Sequence, residues 1–297
     1  ASASGPLKQI KLAVPTKGSA FGYLYLAQDL GYFQKHGLEA QISIIPPANA
    51  VTALQSGDLD YATTVGSTIR AALRGLPVRV VMIGSNHPDF MLLGAKGLTS
   101  LDQIKGKNIG VDAPQTTSNV MLVDLLKRKG FQTSDYKTVT ATVDEARIAL
   151  LTSGTVAATV VELSTGVTFV KQGYPVLANI TDLAEEPFVG LGASQASIKS
   201  KHDLLLAGLQ AALEGVNTMR TQKDVAVPLL AKEFDLGADD AGQVFDLLQP
   251  SWAPNGRPTQ AATDFELSND KTALELPNTP TPDQVYDFSM LDELGVK

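Results

Sequence analysis

The chain contains no cysteine, one tryptophan and three histidines among its 297 residues. Without cysteine there is no disulfide, no thiolate nucleophile and no thiolate-bound zinc. His36, His87 and His202 are far apart and none belongs to an H-x-x-x-H pair, so a helical zinc pair is absent as well. No apolar run approaches the roughly 20 residues that a membrane span needs. Positive charge is also scarce: 24 Lys and Arg against 31 Asp and Glu, net -7, which disfavours a nucleic-acid surface. There is no G-x-S-x-G elbow and no Walker A loop. Gly190-Leu191-Gly192 begins like a dinucleotide fingerprint, but Gln195 stands in place of the third glycine, and the run reads better as a glycine-bearing hinge strand. These absences remove thiol, serine-hydrolase and nucleotide chemistry, and no metal or cofactor is expected.

What is present is an α/β alternation. Short apolar runs at Ile10–Val14, Ile42–Ile45, Tyr61–Val65 and Val78–Gly84 alternate with stretches of helical spacing at Tyr23–Lys35, Asn49–Gly57 and Thr68–Arg74. Asn49 is placed to cap its helix. The pattern restarts after Phe90–Ala95, with strands at Asn108–Val111, Tyr136–Thr140, Ala158–Glu162 and Val176–Ile180. From Lys201 onward the chain reads as mostly helical. With 44% apolar and 19% charged residues, 297 residues suffice for two lobes with separate cores.

One phrase occurs twice, about a hundred residues apart. Leu54-Gln55-Ser56-Gly57 leads into Tyr61–Val65 and then Gly66-Ser67-Thr68; Leu151-Thr152-Ser153-Gly154 leads into Ala158–Glu162 and then Leu163-Ser164-Thr165. Each copy reads as helix end, glycine stop, buried strand and helix start, and the two align without a gap, placing Glu162 opposite Val65. Hydroxyls and open N–H groups at a helix start beyond a parallel strand suit an anionic or strongly polar ligand. Two copies imply two α/β lobes, each offering one wall of a cleft. The runs Phe90–Ala95 and Phe188–Ala193 are read as strands crossing between the lobes. That gives a discontinuous first lobe, 1–93 plus 192–297, and a second lobe, 94–191, with hinge architecture.

Polar uncharged groups gather at the expected strand ends: Thr16, Ser19, Asn49, Ser67, Thr68, Ser85, Asn86, Gln115, Thr116, Thr117, Ser118, Ser164 and Thr165. Each serves as a helix cap in the plainest reading, but together they line one edge of both sheets. Lys17 can add a counter-charge. Glu162 is a carboxylate on an otherwise apolar strand; it can accept from a ligand donor or cap the next helix. Phe21, Tyr23, Phe90, Phe188 and Trp252 can supply aromatic surface, Phe90 and Phe188 better as hinge packing.

The segment Ala27–Leu38 follows the block A-x-x-x-G-Y-F-x-x-x-G-L, and Ala53–Asp60 the block A-L-x-S-G-x-x-D. Leu101–Lys107 follows L-x-x-L-K-G-K with Ile104 in the second Leu place, and Arg147–Gly154 follows R-x-x-A-L-x-x-G with Leu150 in the Ala place. In this order the blocks resemble the periplasmic solute-binding proteins of ABC importers, in the nitrate/sulfonate/taurine and thiamine-pyrimidine-precursor family. Ala157-Ala158 and Glu162-Leu163 depart from that family's usual Asp-Ala and E-P or W-x-P, so the second wall differs from the common form.

The resemblance implies a type II periplasmic fold with a ligand clamped between two lobes. It implies a ligand shell of Lys17, Gly18, Ser19, Phe21, Asn49, Gly66, Ser67, Thr68, Asn86, Gln115, Thr116, Thr117, Ser118, Glu162, Ser164 and Thr165, with Tyr23 or Phe21 stacking on a heterocycle. The implied partners are a small-molecule solute and an inner-membrane ABC permease, with no nucleic acid, and the chain is expected as a monomer that is no enzyme. The expected place is periplasmic, or extracytoplasmic on a lipid anchor. The small polar start Ala1–Pro6 fits a removed signal peptide or a cloning remnant. The first expectation for the solute is an organic carboxylate or sulfonate, the second a pyrimidine-like heterocycle. An enzyme of thiamine-pyrimidine synthesis is a third, opposed by the missing cysteine.

Overall fold

The computed structural model describes residues 5–113, 116–183 and 185–296. The start Ala1–Ser4 and the candidate site residue Gln115 lie outside the described residues. Two five-stranded sheets carry the fold. The first is built from β1 (Lys8–Val14), β2 (Leu38–Ile44), β3 (Tyr61–Thr64), β4 (Val78–Ile83) and β10 (Val189–Ser194), in the order β2-β1-β3-β10-β4. The second is built from β5 (Phe90–Gly94), β6 (Lys107–Val111), β7 (Tyr136–Thr140), β8 (Ala158–Glu162) and β9 (Val176–Asn179), in the order β7-β6-β8-β5-β9. The orders are equivalent strand for strand. In each sheet the first three strands are parallel and a single antiparallel strand, β10 or β5, is inserted beside them.

This is the expected two-lobed α/β architecture. The chain passes from the first sheet to the second between Ile83 and Phe90 and returns between Asn179 and Val189. The boundaries read from the sequence, at 93/94 and 191/192, fall inside β5 and β10. The inner strands of both sheets are covered on both faces, which is why they read as near-continuous apolar runs, whereas the edge strands β2, β7 and β9 are partly exposed. Along β1, Ile10, Leu12 and Val14 pack with Tyr23, Leu24, Leu205 and Leu209, while Ala13 faces Val51, Leu54 and Ile69. In the second sheet Leu92, Ile109 and Val160 meet Met121, Leu122 and Leu125, whereas Met91 and Val161 join Leu163 and Val167.

Three local details differ from the sequence reading. The stretch Tyr23–Lys35 forms two helices, Gly22–Asp29 and Tyr32–Lys35, because the chain breaks at Gly31. Asn49 caps nothing: Pro46 is the cap of the helix Pro47–Ser56, the fixed proline φ making Pro47 a ready first residue. The strand Leu38–Ile44 begins four residues before Ile42, since polar alternation on its half-exposed face hides it from an apolar-run criterion. The doubled phrase is found as read in its first half. Gly57 (φ 80) and Gly154 (φ 75) stop their helices in the left-handed region that excludes most side chains. Its second half slips by one residue: Thr64 caps Val65–Leu73, while Glu162 caps Leu163–Lys171. Among the described residues no helix is long and apolar enough to cross a membrane.

Candidate functional site

A cleft of about 880 Å³ opens between the sheets. Its walls come from the carboxyl ends of β1, β2, β3, β6, β7 and β8, the edge at which open parallel sheets present helix starts. Of the expected residues, Lys17, Phe21, Gly66, Ser67, Thr116, Thr117, Ser118, Glu162, Ser164 and Thr165 line it, as does Thr16. Phe90 and Phe188, one from each passage between the sheets, meet edge to face at 5.3 Å and also line it.

The others lie elsewhere. Ser19 is buried and donates to Asp89 Oδ2 at 3.3 Å. Tyr23 is buried behind β10, its hydroxyl donating to the Gly190 carbonyl at 2.9 Å and its ring 5.9 Å from Trp252. Thr68 turns back to donate to its own helix at Thr64 O. Asn49 is an exposed residue of a helix side. Asn86 is buried between the passages, where its Oδ1 accepts the Thr259 N–H at 3.2 Å. Gly18 does not line the cleft but packs against Glu162: a Cβ there would lie 1.9 Å from Glu162 Oε2. The histidines stay out of the cleft, His36 on Glu214, His202 on Glu293 and His87 near the Thr181 carbonyl.

Beside the cleft, contacts between the two lobes are made at Glu162 and Asp89; farther off, Lys171 and Asp240 pair across the lobes at 2.6 Å. Thr16 Oγ1 donates to Glu162 Oε1 at 2.8 Å, joining the loop after β1 to the end of β8. Asp89 is 1% exposed; its Oδ2 accepts the Ala20 N–H at 3.2 Å while its backbone carbonyl accepts the Leu163 N–H at 2.9 Å. The Glu162 N–H donates to Asp144 Oδ2 at 2.9 Å. Asp144 is held in turn by Arg147, which also reaches the Val160 and Ala141 carbonyls. Burial, reinforced by Asp144, pushes the Glu162 carboxyl up to about 8, against the Thr16 hydrogen bond and Arg147. Asp89 is pushed well above the carboxylate range by burial first, then by Glu162 and Asp144.

Sequence reasoning named Lys17 but missed the two arginines on the cationic side of the cleft. Arg70 and Arg74 line it from the helix Val65–Leu73 and its end. The Arg70 guanidinium folds back over the first turn, where a Cβ on Gly66 would lie 2.8 Å from its Nη2. Gly66 and Arg70 are one turn apart, so the helical face that carries Gly66 already pointed to Arg70. Burial opposes the Arg70 charge, but Glu266 and Asp270 hold it above its ordinary value. Acidic groups of the lining, Asp112, Asp144, Glu145 and Glu162, all belong to the second lobe, whose one lining cation, Arg147, is paired with Asp144, while Lys17, Arg70 and Arg74 belong to the first. The cleft therefore has an acidic excess on one wall and a basic one on the other, with the Phe90–Phe188 pair in its lining.

A family model described as NMT1/THI5 like matches residues 19–226. The chain belongs to this family. A 4-amino-5-hydroxymethyl-2-methylpyrimidine phosphate synthase of Schizosaccharomyces pombe is 33% identical over 122 residues, 39% of this chain and 34% of that protein. The match thus spans about a third of that relative's length. Among solved structures, the periplasmic aliphatic sulphonate binding protein SsuA of Escherichia coli superposes with a TM-score of 0.76 at 20% identity, over 97% of this chain and 100% of that one. The ligand binding component of an ABC-type import system from Staphylococcus aureus, solved with zinc, gives 0.77 at 18% identity, over 97% and 99%. This NMT1/THI5-like chain shares with both the two-lobed periplasmic binding fold. Among its described residues no group of three His, Asp or Glu is arranged to hold a metal ion.

Proposed function

We propose that the protein is an extracytoplasmic capture component of an ABC importer that takes a small organic sulfonate or carboxylate into the cleft. The observation that carries this reading is Arg70: a guanidinium folded over a helix start, facing the cleft beside Ser67. A planar, permanently charged donor at the positive end of a helix suits an oxyanion better than any other ligand group. Lys17 and Arg74 extend the same field across the first wall. The fold shared with importer binding proteins supports the role, closure about the two passages between sheets supplies the capture step, and a monomer handing solute to a permease is the matching assembly.

A second reading is favoured by Glu162 and the Phe90–Phe188 pair: a pyrimidine-like heterocycle donating to Glu162 and packed on the rings. The remote likeness to a pyrimidine phosphate synthase fits this reading. The two part in a thermal-shift screen of sulfonates, carboxylates and aminopyrimidines. Stabilisation by anions is expected; stabilisation by pyrimidines with none by sulfonates or carboxylates overturns the first reading.

A further inference from the structure

Behind Arg70, on the side away from the cleft, lies a buried group of three carboxyls. Glu266 and Asp270, one turn apart on the helix Gln260–Ala273, are each 2% exposed, and Glu186, just before β10, is 4% exposed. Arg70 Nη1 stands 3.2 Å from Asp270 Oδ1 and 3.6 Å from Glu266 Oε1. One oxygen of each carboxyl (Glu186 Oε2, Glu266 Oε1, Asp270 Oδ2) has no hydrogen-bond donor. The Glu186 and Glu266 carboxyls lie close enough to act on one another, so that burying both as carboxylates is costly.

Three carboxyls thus share one guanidinium. Arg74 acts on Asp270 from the end of the Arg70 helix; Asp124, itself paired with Arg128 at 2.6 Å, acts on Glu186 from the helix Thr117–Arg128. Tyr286, in the C-terminal segment, lies near enough for Glu266 to act on its hydroxyl. Full ionisation would leave buried negative charge without a partner, so the number of protons held here depends on how much of Arg70 the carboxyls command.

We propose that capture of an anionic solute is coupled to proton uptake: the solute draws Arg70 toward the cleft, and the carboxyl group left behind takes a proton. This inference rests on the anion reading of the cleft. Burial pushes Glu186 up to about 7, and Glu266 and Asp270 are raised too, so the group exchanges protons near neutrality. The sign follows from linkage: the complex holds more protons than the free protein, so affinity rises as pH falls. Arg70 is the only residue of the group that touches solute; Glu186, Glu266 and Asp270 are positioning residues. Glu162 is the competing source of protons, because it faces the same cleft and is itself raised.

The experiment is isothermal titration of the full chain with butanesulfonate, and with butyrate, in buffers of different ionisation enthalpy between pH 6 and 8. Both probes stay ionised there, so any proton taken up goes to the protein. The expected uptake near pH 7 is about half to one proton per solute, with affinity falling roughly three- to tenfold per pH unit as pH rises. Glu162→Gln is expected to keep the uptake, Glu266→Gln and Asp270→Asn to lose it, and Asp270→Glu to restore it. Binding without proton uptake in the unaltered protein overturns the inference and leaves the anion reading standing. Uptake that vanishes in Glu162→Gln, or survives in both Glu266→Gln and Asp270→Asn, overturns it as well. Failure of both probes to bind at any pH overturns the anion reading and the inference together.

Discussion

At the first strand–helix junction, β3 ends on Thr64 and the helix that follows carries Arg70 in its second turn. At the second, β8 ends on Glu162, and the helix that follows has Val167, 1% exposed, where gapless alignment of the two phrases puts Arg70. The surroundings are otherwise matched: equivalent sheet orders, a left-handed glycine before each strand, an inserted antiparallel strand beside it. The difference shows that backbone and charge have separate jobs. The repeated backbone supplies two helix starts facing one space; the unmatched side chains give that space a direction, positive at the first jaw and acidic at the second. On the proposed function, a solute between them would be oriented as well as held.

The largest effect is expected from making the jaws alike in charge. Arg70→Gln should weaken binding of a sulfonate about ten- to a hundredfold, the range of one or two charge-assisted hydrogen bonds. Titration calorimetry checks it; affinity within twofold of the unaltered protein would remove Arg70 from the site. A smaller effect is expected where the jaws touch. Gly18→Ala places a methyl against the Glu162 carboxylate and should lower affinity several-fold, about 1 kcal/mol, by holding the lobes apart. Pairing it with Glu162→Ala should recover most of that loss, and an additive double mutant would deny the contact its role in closure.

The smallest effect concerns stability. The Glu162 carboxyl is raised in the folded protein to about 8, so the unfolded chain releases its proton at much lower pH than the folded one. Its contribution is fully present below the unfolded value and is lost as pH rises through about 8. Glu162→Gln should therefore raise the melting temperature at pH 8 by several degrees and leave it unchanged near pH 4. A scan of melting temperature against pH reads this directly, and equal shifts at both pH values would contradict it.

Most of the fold was legible because the inner strands of both sheets are buried on both faces. Apolar runs such as Val78–Ile83 and Ala158–Glu162 have no polar alternation to blur them, and glycine stops at Gly75 and Gly154 mark their approach. The cleft lining was legible at helix starts and at strand ends, where Lys17, Phe21 and Glu162 also fall. Ser67, Thr117, Ser164 and Thr165 were found because helix starts have a local signature, and local signatures are what a single sequence carries. Arg70 and the Glu186–Glu266–Asp270 group were not found, because the contacts that bring them together join distant parts of the chain. Asp270 is two hundred residues beyond the arginine it meets. Tyr23 shows the opposite error: an aromatic beside a predicted loop looked available, yet helix Gly22–Asp29 turns it inward to Trp252 and Gly190.

The inserted strand also sets an order of assembly. All five strands of the second sheet lie between residues 90 and 179, whereas the first sheet spans 8–83 and then lacks its inner strand until residues 189–194. β3 and β4 do not pair with each other; β10 is the wedge that joins them. A chain growing from its amino end can complete the later sheet while the earlier one still shows two unpaired edges. Closing the long loop is slow relative to local pairing, so the first sheet is started first and finished second. The jaw that bears Arg70 becomes rigid only after the opposite jaw has formed.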